Sequence, residues 1–243
     1  MLAGIGLPTV LLIVSGVILT IVASVFLCRD RAFGFLTGGS VAICGASAAM
    51  AIAAILPDRE HAERDLAFTV ITVTVLSTVA MIAYPVLCNW LGLSEQASGI
   101  FLGGTIHDVA QVVGAGYSVS EPAGDLSTIV KLMRVTLLAP VVLIGATLMR
   151  QRGAGSKVPL LPGFLVAFLL LMLANSTIAL PDVLTDTANL VSRAALVTAV
   201  AAVGMKTSLV KLKDVGGWPI LLLCSQTLFL GGVVLAGVLF MGR

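Results

Sequence analysis

Four polar side chains that could bind a ligand or move a proton lie inside one apolar run, GIFLGGTIHDVAQVVGAG, at residues 99–116. They are Thr105, His107, Asp108 and Gln111. His107 and Gln111 are four residues apart and so share a helix face, and a histidine titrates near neutral pH. Ionisable groups at bilayer depth cost about 2.5–3.5 kcal/mol each on the mildest scale, which favours a functional polar wall. The alternative is an interhelical hydrogen bond that only joins two helices.

The same run contains glycines that predict how its backbone is arranged: Gly103, Gly104, Gly114 and Gly116. Glycine is a poor helix former, and irregular backbone at membrane depth persists only where protein shelters it or where it lines a wet cavity. We therefore predict a broken or re-entrant helix at a transport site.

An earlier stretch, GGSVAICGASAAMA, repeats this glycine pattern. Gly38, Gly39 and Ser40 recur 65 positions later as Gly103, Gly104 and Thr105. Repeated glycine-interrupted spans indicate the binding site of a transporter. The small residues of the first copy have two interpretations, which the sequence leaves open. They free backbone amides that attract an anion, or they let neighbouring helices pack closely.

Two cations, Lys131 and Arg134, lie three residues apart on one face of a later apolar segment. Lys131 either extends to the membrane surface or contacts substrate. Arg134 lies deeper and is predicted to pair with Asp108 or to face an anion directly, because its planar fork suits an oxoanion. Cations outnumber the acid in this group, and that excess favours an anionic substrate.

Composition identifies the chain as a polytopic membrane protein. Of its 243 residues, 58% are hydrophobic and 11% are charged, and the mean hydropathy is +1.11. Soluble domains average about a quarter charged residues. A window of about 20 apolar residues gives eight candidate spans. They are approximately 7–28, 34–56, 66–91, 98–119, 127–150, 161–180, 184–205 and 217–241. Short connectors predict a single domain over residues 1–243, an all-α transmembrane bundle with two Gly-rich discontinuous or crossing helices.

Charge and cysteine usage argue against several other classes of protein. The net charge of +2 gives no reason to expect a nucleic-acid partner. The four cysteines form no CxxC pair, and His107 begins no HExxH motif, so we predict no disulfide, metal or cofactor.

Loop cations predict the orientation of the bundle. They lie mainly in the first, fifth and seventh loops, which places these loops in the cytoplasm and both termini outside. The contributing residues are Arg29, Arg31, Arg150, Arg152, Lys157, Lys206, Lys211 and Lys213. An external N-terminus without a signal sequence is unusual, and further spans before Met1 in the natural protein would explain it.

Four segments resemble, in their order along the chain, the YeiH-like family of bacterial inner-membrane proteins, whose members carry the label of sulfate exporters. The segments are GGSVAICGASAAMA, GIFLGGTIHDVAQVVGAGYSVS, KLMRVTLLAPVVL and AAVGMKTSLVKLKDVG. The resemblance implies a multi-pass protein of the bacterial plasma membrane, distantly similar to the bile-acid and arginine transporters with their crossed, discontinuous helices.

The resemblance also implies which residues lie at the helix crossing. They are Ser40, Cys44 and Gly45 in the first motif, and Thr105, His107, Asp108 and Gln111 in the second. Members of the family more often have Glu than Asp after the histidine, so Asp108 is a shorter version of that side chain.

These observations predict a secondary transporter, and not an enzyme, that carries a small anion such as a sulfur oxoanion across the lipid bilayer by alternating access. The two motifs would hold the substrate, Lys131 and Arg134 would supply charge, and His107 or Asp108 would couple a proton. One alternative is a sodium- or proton-coupled carrier of another solute, with Asp108 and freed carbonyls as cation ligands. A second is an intramembrane enzyme with His107 as base, Asp108 as the residue that orients it and Cys44 as nucleophile. Homo-oligomer formation is left open.

Overall fold

The computed structural model describes residues 6–57, 61–149 and 217–241, together with single positions between 170 and 198. Every regular element in these ranges is an α-helix. The helices are α1 (Leu7–Leu27), α2 (Arg31–Ala42), α3 (Ala46–Ala53), α4 (Ala62–Trp90), α5 (Glu95–Thr105), α6 (Val109–Val119), α7 (Glu121–Thr136), α8 (Leu138–Met149) and α9 (Gly217–Met241). The predicted spans at 161–180 and 184–205, and the cations of the fifth and seventh loops, lie outside the described residues.

Membrane-spanning character is confirmed for the described part of the chain. Four stretches there are long and apolar enough to cross a membrane: Leu7–Leu27, Ala62–Trp90, Glu121–Leu148 and Gly217–Met241. The predicted spans at 34–56 and 98–119 are not continuous helices. Each is a pair of half-helices, α2 with α3 and α5 with α6, separated by three residues. The broken helix expected at residues 99–116 is therefore present, and the first copy of the repeat is broken as well.

Several helices begin at side chains that bind the free amides of their first turn. The Asp30 carboxylate accepts from Ala32 N at 2.9 Å and starts α2. Ser94 caps α5 through the amide of Ala97 at 3.2 Å. These caps satisfy donors that a helix leaves unpaired at its N-terminus, and they fix where each half-helix enters the bundle.

The glycines of the two motifs lie within half-helices and allow close packing. A Cβ atom at Gly38 would lie 2.6 Å from the Ser24 hydroxyl of α1, and one at Gly104 would lie 2.7 Å from Ile13 Cδ1. Gly103 has the same role against α7, where a Cβ would lie 2.9 Å from the Val130 Cβ. These glycines do not open the backbone, which corrects that expectation. Small residues instead let α2 and α5 approach their neighbours closely.

Candidate functional site

The carbonyl ends of the two broken helices meet the cations of α7. The guanidinium of Arg134 donates to the carbonyl oxygens of Val41 and Ala42 in α2, both at 2.9 Å. Its Nη1 is also 3.3 Å from the carbonyl oxygens of both Gly103 and Ile106. One side chain thus bridges the C-termini of α2 and α5.

Lys131 makes a second bridge between the same two helix ends. Its ammonium donates to the Ile43 carbonyl at 2.6 Å and to the Ile106 carbonyl at 2.9 Å. The last carbonyls of a helix have no partner within the helix, and this end carries a partial negative charge. Two cations are therefore suited to cap two such ends.

Both cations are fully buried, with 0% of each side chain exposed. Lys131 therefore does not extend to the membrane surface, which corrects one of its two predicted roles. Arg134 binds backbone carbonyls and, within the described ranges, forms no ion pair with Asp108. The carbonyl oxygens at the helix C-termini already act as the negative partners of Arg134, so the predicted pair with Asp108 is not needed. Direct contact of either cation with substrate remains a prediction.

The amide end of the second break is closed by the chain itself. Asp108 is the N-cap of α6, and its Oδ1 accepts from Ala110 N at 2.8 Å and from Gln111 N at 3.4 Å. Its own amide donates to Ser77 Oγ of α4 at 3.0 Å. The carboxylate thus binds the first amides of α6, and it makes no hydrogen bond to the ring of His107 in the described structure.

The amide end of the first break is open. The N-cap of α3 is Gly45, with φ +64° and ψ −124°, and no side chain caps it among the described residues. Ala46 and Ser47 are half-buried, whereas residues 41–45 on the other side of the break are fully buried. The first amides of α3 therefore keep the partial positive charge of a helix N-terminus.

His107 connects this open end to the last helix of the bundle. A Cβ at Gly45 would lie 3.4 Å from the Cβ of His107, so the two breaks are adjacent. The imidazole is 0% exposed, and its Nε2 is 3.1 Å from the hydroxyl of Thr227 in α9. Its Nδ1 has no hydrogen-bond partner in the described structure. A buried polar atom of this kind is rare in proteins, where a partner such as a bound water or a ligand usually satisfies it.

Gln111 is a second side chain with unused capacity. Its Nε2 donates to Thr78 Oγ1 at 3.0 Å, and Thr78 in turn donates to the Thr74 carbonyl at 2.9 Å. This chain of bonds fixes the orientation of the amide, because Thr78 must accept from Gln111. The Oε1 of Gln111 is left buried without a partner within the described residues.

The remaining predicted site residues have local partners. Ser40 donates to the Leu36 carbonyl at 2.5 Å and Thr105 to the Phe101 carbonyl at 2.6 Å, so both hydroxyls bind their own helix. Cys44 lies in the first break, where its thiol accepts from Ser47 at 3.2 Å.

The structure brings together part of the predicted set at the two breaks: Cys44, Gly45, His107, Asp108, Gln111, Lys131 and Arg134. The other members, Gly38, Gly39, Ser40, Gly103, Gly104 and Thr105, lie inside the half-helices, and a substrate contact for any member remains a prediction.

Two residues of α9 were not among the predicted site residues. Thr227 contacts His107, and Gln226 donates from Nε2 to Thr37 Oγ1 of α2 at 3.0 Å. Both are nearly buried, at 7% and 5% exposure. The signal in the sequence is the polar triplet Ser-Gln-Thr at residues 225–227, which interrupts an otherwise apolar span.

Comparisons with known proteins identify similar bacterial sequences. The model of the family described as "Conserved hypothetical protein 698" matches residues 1–223. A UPF0324 membrane protein of Rhizobium meliloti (strain 1021) is 53% identical over 252 residues, which cover 100% of this chain and 73% of the relative. The UPF0324 membrane protein TauZ of Paracoccus pantotrophus is 53% identical over 251 residues, with 100% and 74% covered.

A further relative, a UPF0324 membrane protein of Chlorobaculum tepidum, is 51% identical over 244 residues, which cover 97% of this chain and 68% of the relative. No solved structure matches the chain. The sequence matches agree with the YeiH-like resemblance of the four segments.

Proposed function

The chain belongs to the UPF0324 family of bacterial membrane proteins, and we propose that it is a secondary transporter that carries a small anion by alternating access. It is a multi-pass protein of a bacterial membrane.

The observation that carries the proposal is the occupation of the two carbonyl ends by Lys131 and Arg134. In a cation carrier, the carbonyl ends of broken helices are available to coordinate the transported ion. Here fixed positive charges already fill that position. The site is left with two buried cations and with free amides at α3, and both features favour a negative ligand.

We place the anion at the first turn of α3, where Ala46 and Ser47 are half-buried and no side chain caps the helix among the described residues. His107 lies next to this turn and has one nitrogen without a partner. Lys131 and Arg134 lie behind the break and contribute charge at longer range. A sulfur oxoanion fits this arrangement, since its oxygens accept several hydrogen bonds at once.

A second candidate is coupling to a proton or to sodium at the second break. Hydrogen bonds link Asp108 to Ser77 and Gln111 to Thr78 there, and the Oε1 of Gln111 has no partner among the described residues. This oxygen-rich group favours a cation as the coupling ion, and it is compatible with an anion at α3.

A thermal-shift panel on detergent-purified protein tests the proposal, with sulfate, sulfite, thiosulfate, bicarbonate, chloride and sodium as ligands. A ligand that binds only the folded state adds about 2.7 kcal/mol of stability at a hundredfold excess over its dissociation constant. We expect stabilisation by one oxoanion in the absence of sodium, and its loss in His107→Ala. Stabilisation by sodium alone, or by no anion, would contradict the proposal.

A further inference from the structure

The hydroxyl of Thr227 differs from several other buried hydroxyls of the bundle, which bind their own helix. Thr20, Ser24 and Thr105 each donate to a carbonyl of their own helix, at 2.8, 2.6 and 2.6 Å. Ser225, two residues before Thr227 in α9, also donates to its own helix, at 2.7 Å from the Leu222 carbonyl. Thr227 makes no such bond in the described structure, and its partner is Nε2 of His107 at 3.1 Å. Its hydroxyl hydrogen is therefore free to point at the imidazole.

The direction of this hydrogen bond determines which nitrogen of His107 carries the proton. A neutral imidazole has one N–H group and one bare nitrogen. Because His107 is fully buried and no carboxylate contacts its ring among the described residues, the neutral form is the relevant one. A buried hydroxyl usually has an acceptor, and among the described residues Nε2 of His107 is the contact of the Thr227 hydroxyl, so a bare Nε2 satisfies it.

We propose that Thr227 is a positioning residue that holds His107 as the Nδ1–H tautomer, so that the imidazole presents a hydrogen-bond donor to the anion at α3. The Thr105 backbone makes a polar contact with the ring, but Nδ1 has no partner within hydrogen-bonding geometry among the described residues. An Nδ1–H group is therefore available to a ligand. The identity of the ligand in this inference rests on the proposed function, whereas the tautomer does not.

Gln226, the neighbour of Thr227, also bonds to a hydroxyl group, but there the hydroxyl is the acceptor. It donates to the hydroxyl of Thr37, whose own hydrogen is used by the Phe33 carbonyl at 3.0 Å. The hydroxyl in α2 thus accepts from α9, whereas the hydroxyl in α9 donates to the second break. Among the described residues, α9 thus makes one side-chain hydrogen bond to each broken helix, from Gln226 to Thr37 and from Thr227 to His107. Only the second of these bonds can determine which nitrogen of an imidazole carries the proton.

The chain itself offers a direct test, because it contains two histidines, His61 and His107. In the His61→Gln variant of this 243-residue chain, prepared without a histidine tag and labelled with 15N-histidine, every imidazole signal comes from His107. We expect a protonated Nδ1 and a bare Nε2. Thr227→Val should shift the proton toward Nε2, Thr227→Ser should preserve the pattern, and Ser225→Ala should leave it unchanged. A protonated Nε2 in the His61→Gln protein, or a Thr227→Val spectrum identical to it, would overturn the inference.

Binding measurements separate this inference from the proposed function. With the oxoanion that stabilises the wild-type protein, Thr227→Val should weaken the apparent affinity by about ten- to a hundredfold, as expected for a lost hydrogen bond to a charged group. An Nδ1–H tautomer with no anion response would reject the proposed function and retain the role of Thr227. Anion binding with a protonated Nε2 would do the reverse.

Discussion

The two broken helices are alike at their carbonyl ends and different at their amide ends. Both carbonyl ends are buried and capped by Lys131 and Arg134. The amide end of α6 is closed by the carboxylate of Asp108, while that of α3 begins at Gly45 without a side-chain cap in the described structure. The two copies of the repeat have similar sequences, yet the break before α6 is closed and the break before α3 is open.

This difference suggests that the two copies have different roles. At a capped helix end the amides already have a hydrogen-bond acceptor, so a ligand adds little stability. An uncapped end gains hydrogen bonds and charge compensation when a ligand binds. We therefore infer that the first break binds the anion and that the second break supplies His107 and a separate oxygen-rich group around Asp108.

Replacing Arg134 should remove the cap that the two carbonyl ends share, and it has the largest expected effect on stability. Arg134→Ala leaves carbonyl oxygens of two helices without a partner. We expect a loss of about 3–5 kcal/mol in the free energy of unfolding, by analogy with breaking a buried charged pair. Thermal unfolding in detergent measures this loss.

The charge-preserving Arg134→Lys should lose less, which keeps the test informative if Arg134→Ala does not fold. The control is Arg31→Ala, because Arg31 is exposed at the start of α2 and should change stability by no more than about 0.5 kcal/mol. Equal stability of Arg134→Ala and Arg31→Ala would refute the capping role.

Gly45→Ala should alter the open end of α3. The φ of +64° is strained for any residue with a Cβ, at a cost of about 1–3 kcal/mol. Gly92→Ala is the matched control, because Gly92 has φ +62° and a Cβ there would meet nothing within 4 Å. Both variants should lose stability in thermal unfolding. Only Gly45→Ala should also weaken stabilisation by the oxoanion, and equal anion responses in the two would place the ligand elsewhere.

Asp108→Ala should open the closed end of α6 and has a smaller expected effect. Loss of an N-cap carboxylate costs about 1 kcal/mol, whereas Asp108→Asn keeps an oxygen that can accept from the same amides. We expect thermal unfolding to rank wild type and Asp108→Asn together, above Asp108→Ala. An Asn variant as unstable as the Ala variant would show that the charge, rather than the cap, holds the second break.

The sequence was sufficient to predict which two segments are broken but not at which residues they break or how the breaks are satisfied. Glycine and polar patterns located both motifs, yet the breaks follow Ala42 and Thr105, which are 63 residues apart, whereas the matching glycines are 65 apart. The pattern marks helix packing, as at Gly103, and the break itself comes a few residues later.

The contacts that organise the site are long-range, which is why sequence reasoning missed them. Arg134 donates to carbonyl oxygens 92 and 93 residues away. Every residue has a backbone carbonyl, so no residue type in the sequence marks these acceptors. Thr227 meets His107 across 120 residues. Local spacing identifies which side chains share a helix face, but only the packing of α7 and α9 against the breaks determines their partners.

A proline scan of the two amide ends tests the central claim most directly. Proline is tolerated at the first position of a helix and removes one amide hydrogen there. Ala46→Pro does this at the open end of α3, and Val109→Pro is its counterpart at the closed end of α6. The measurement is the thermal stabilisation of each variant by the oxoanion that stabilises the wild-type protein. We predict that Ala46→Pro loses this stabilisation and Val109→Pro keeps it. Full stabilisation of Ala46→Pro would contradict binding at the first break.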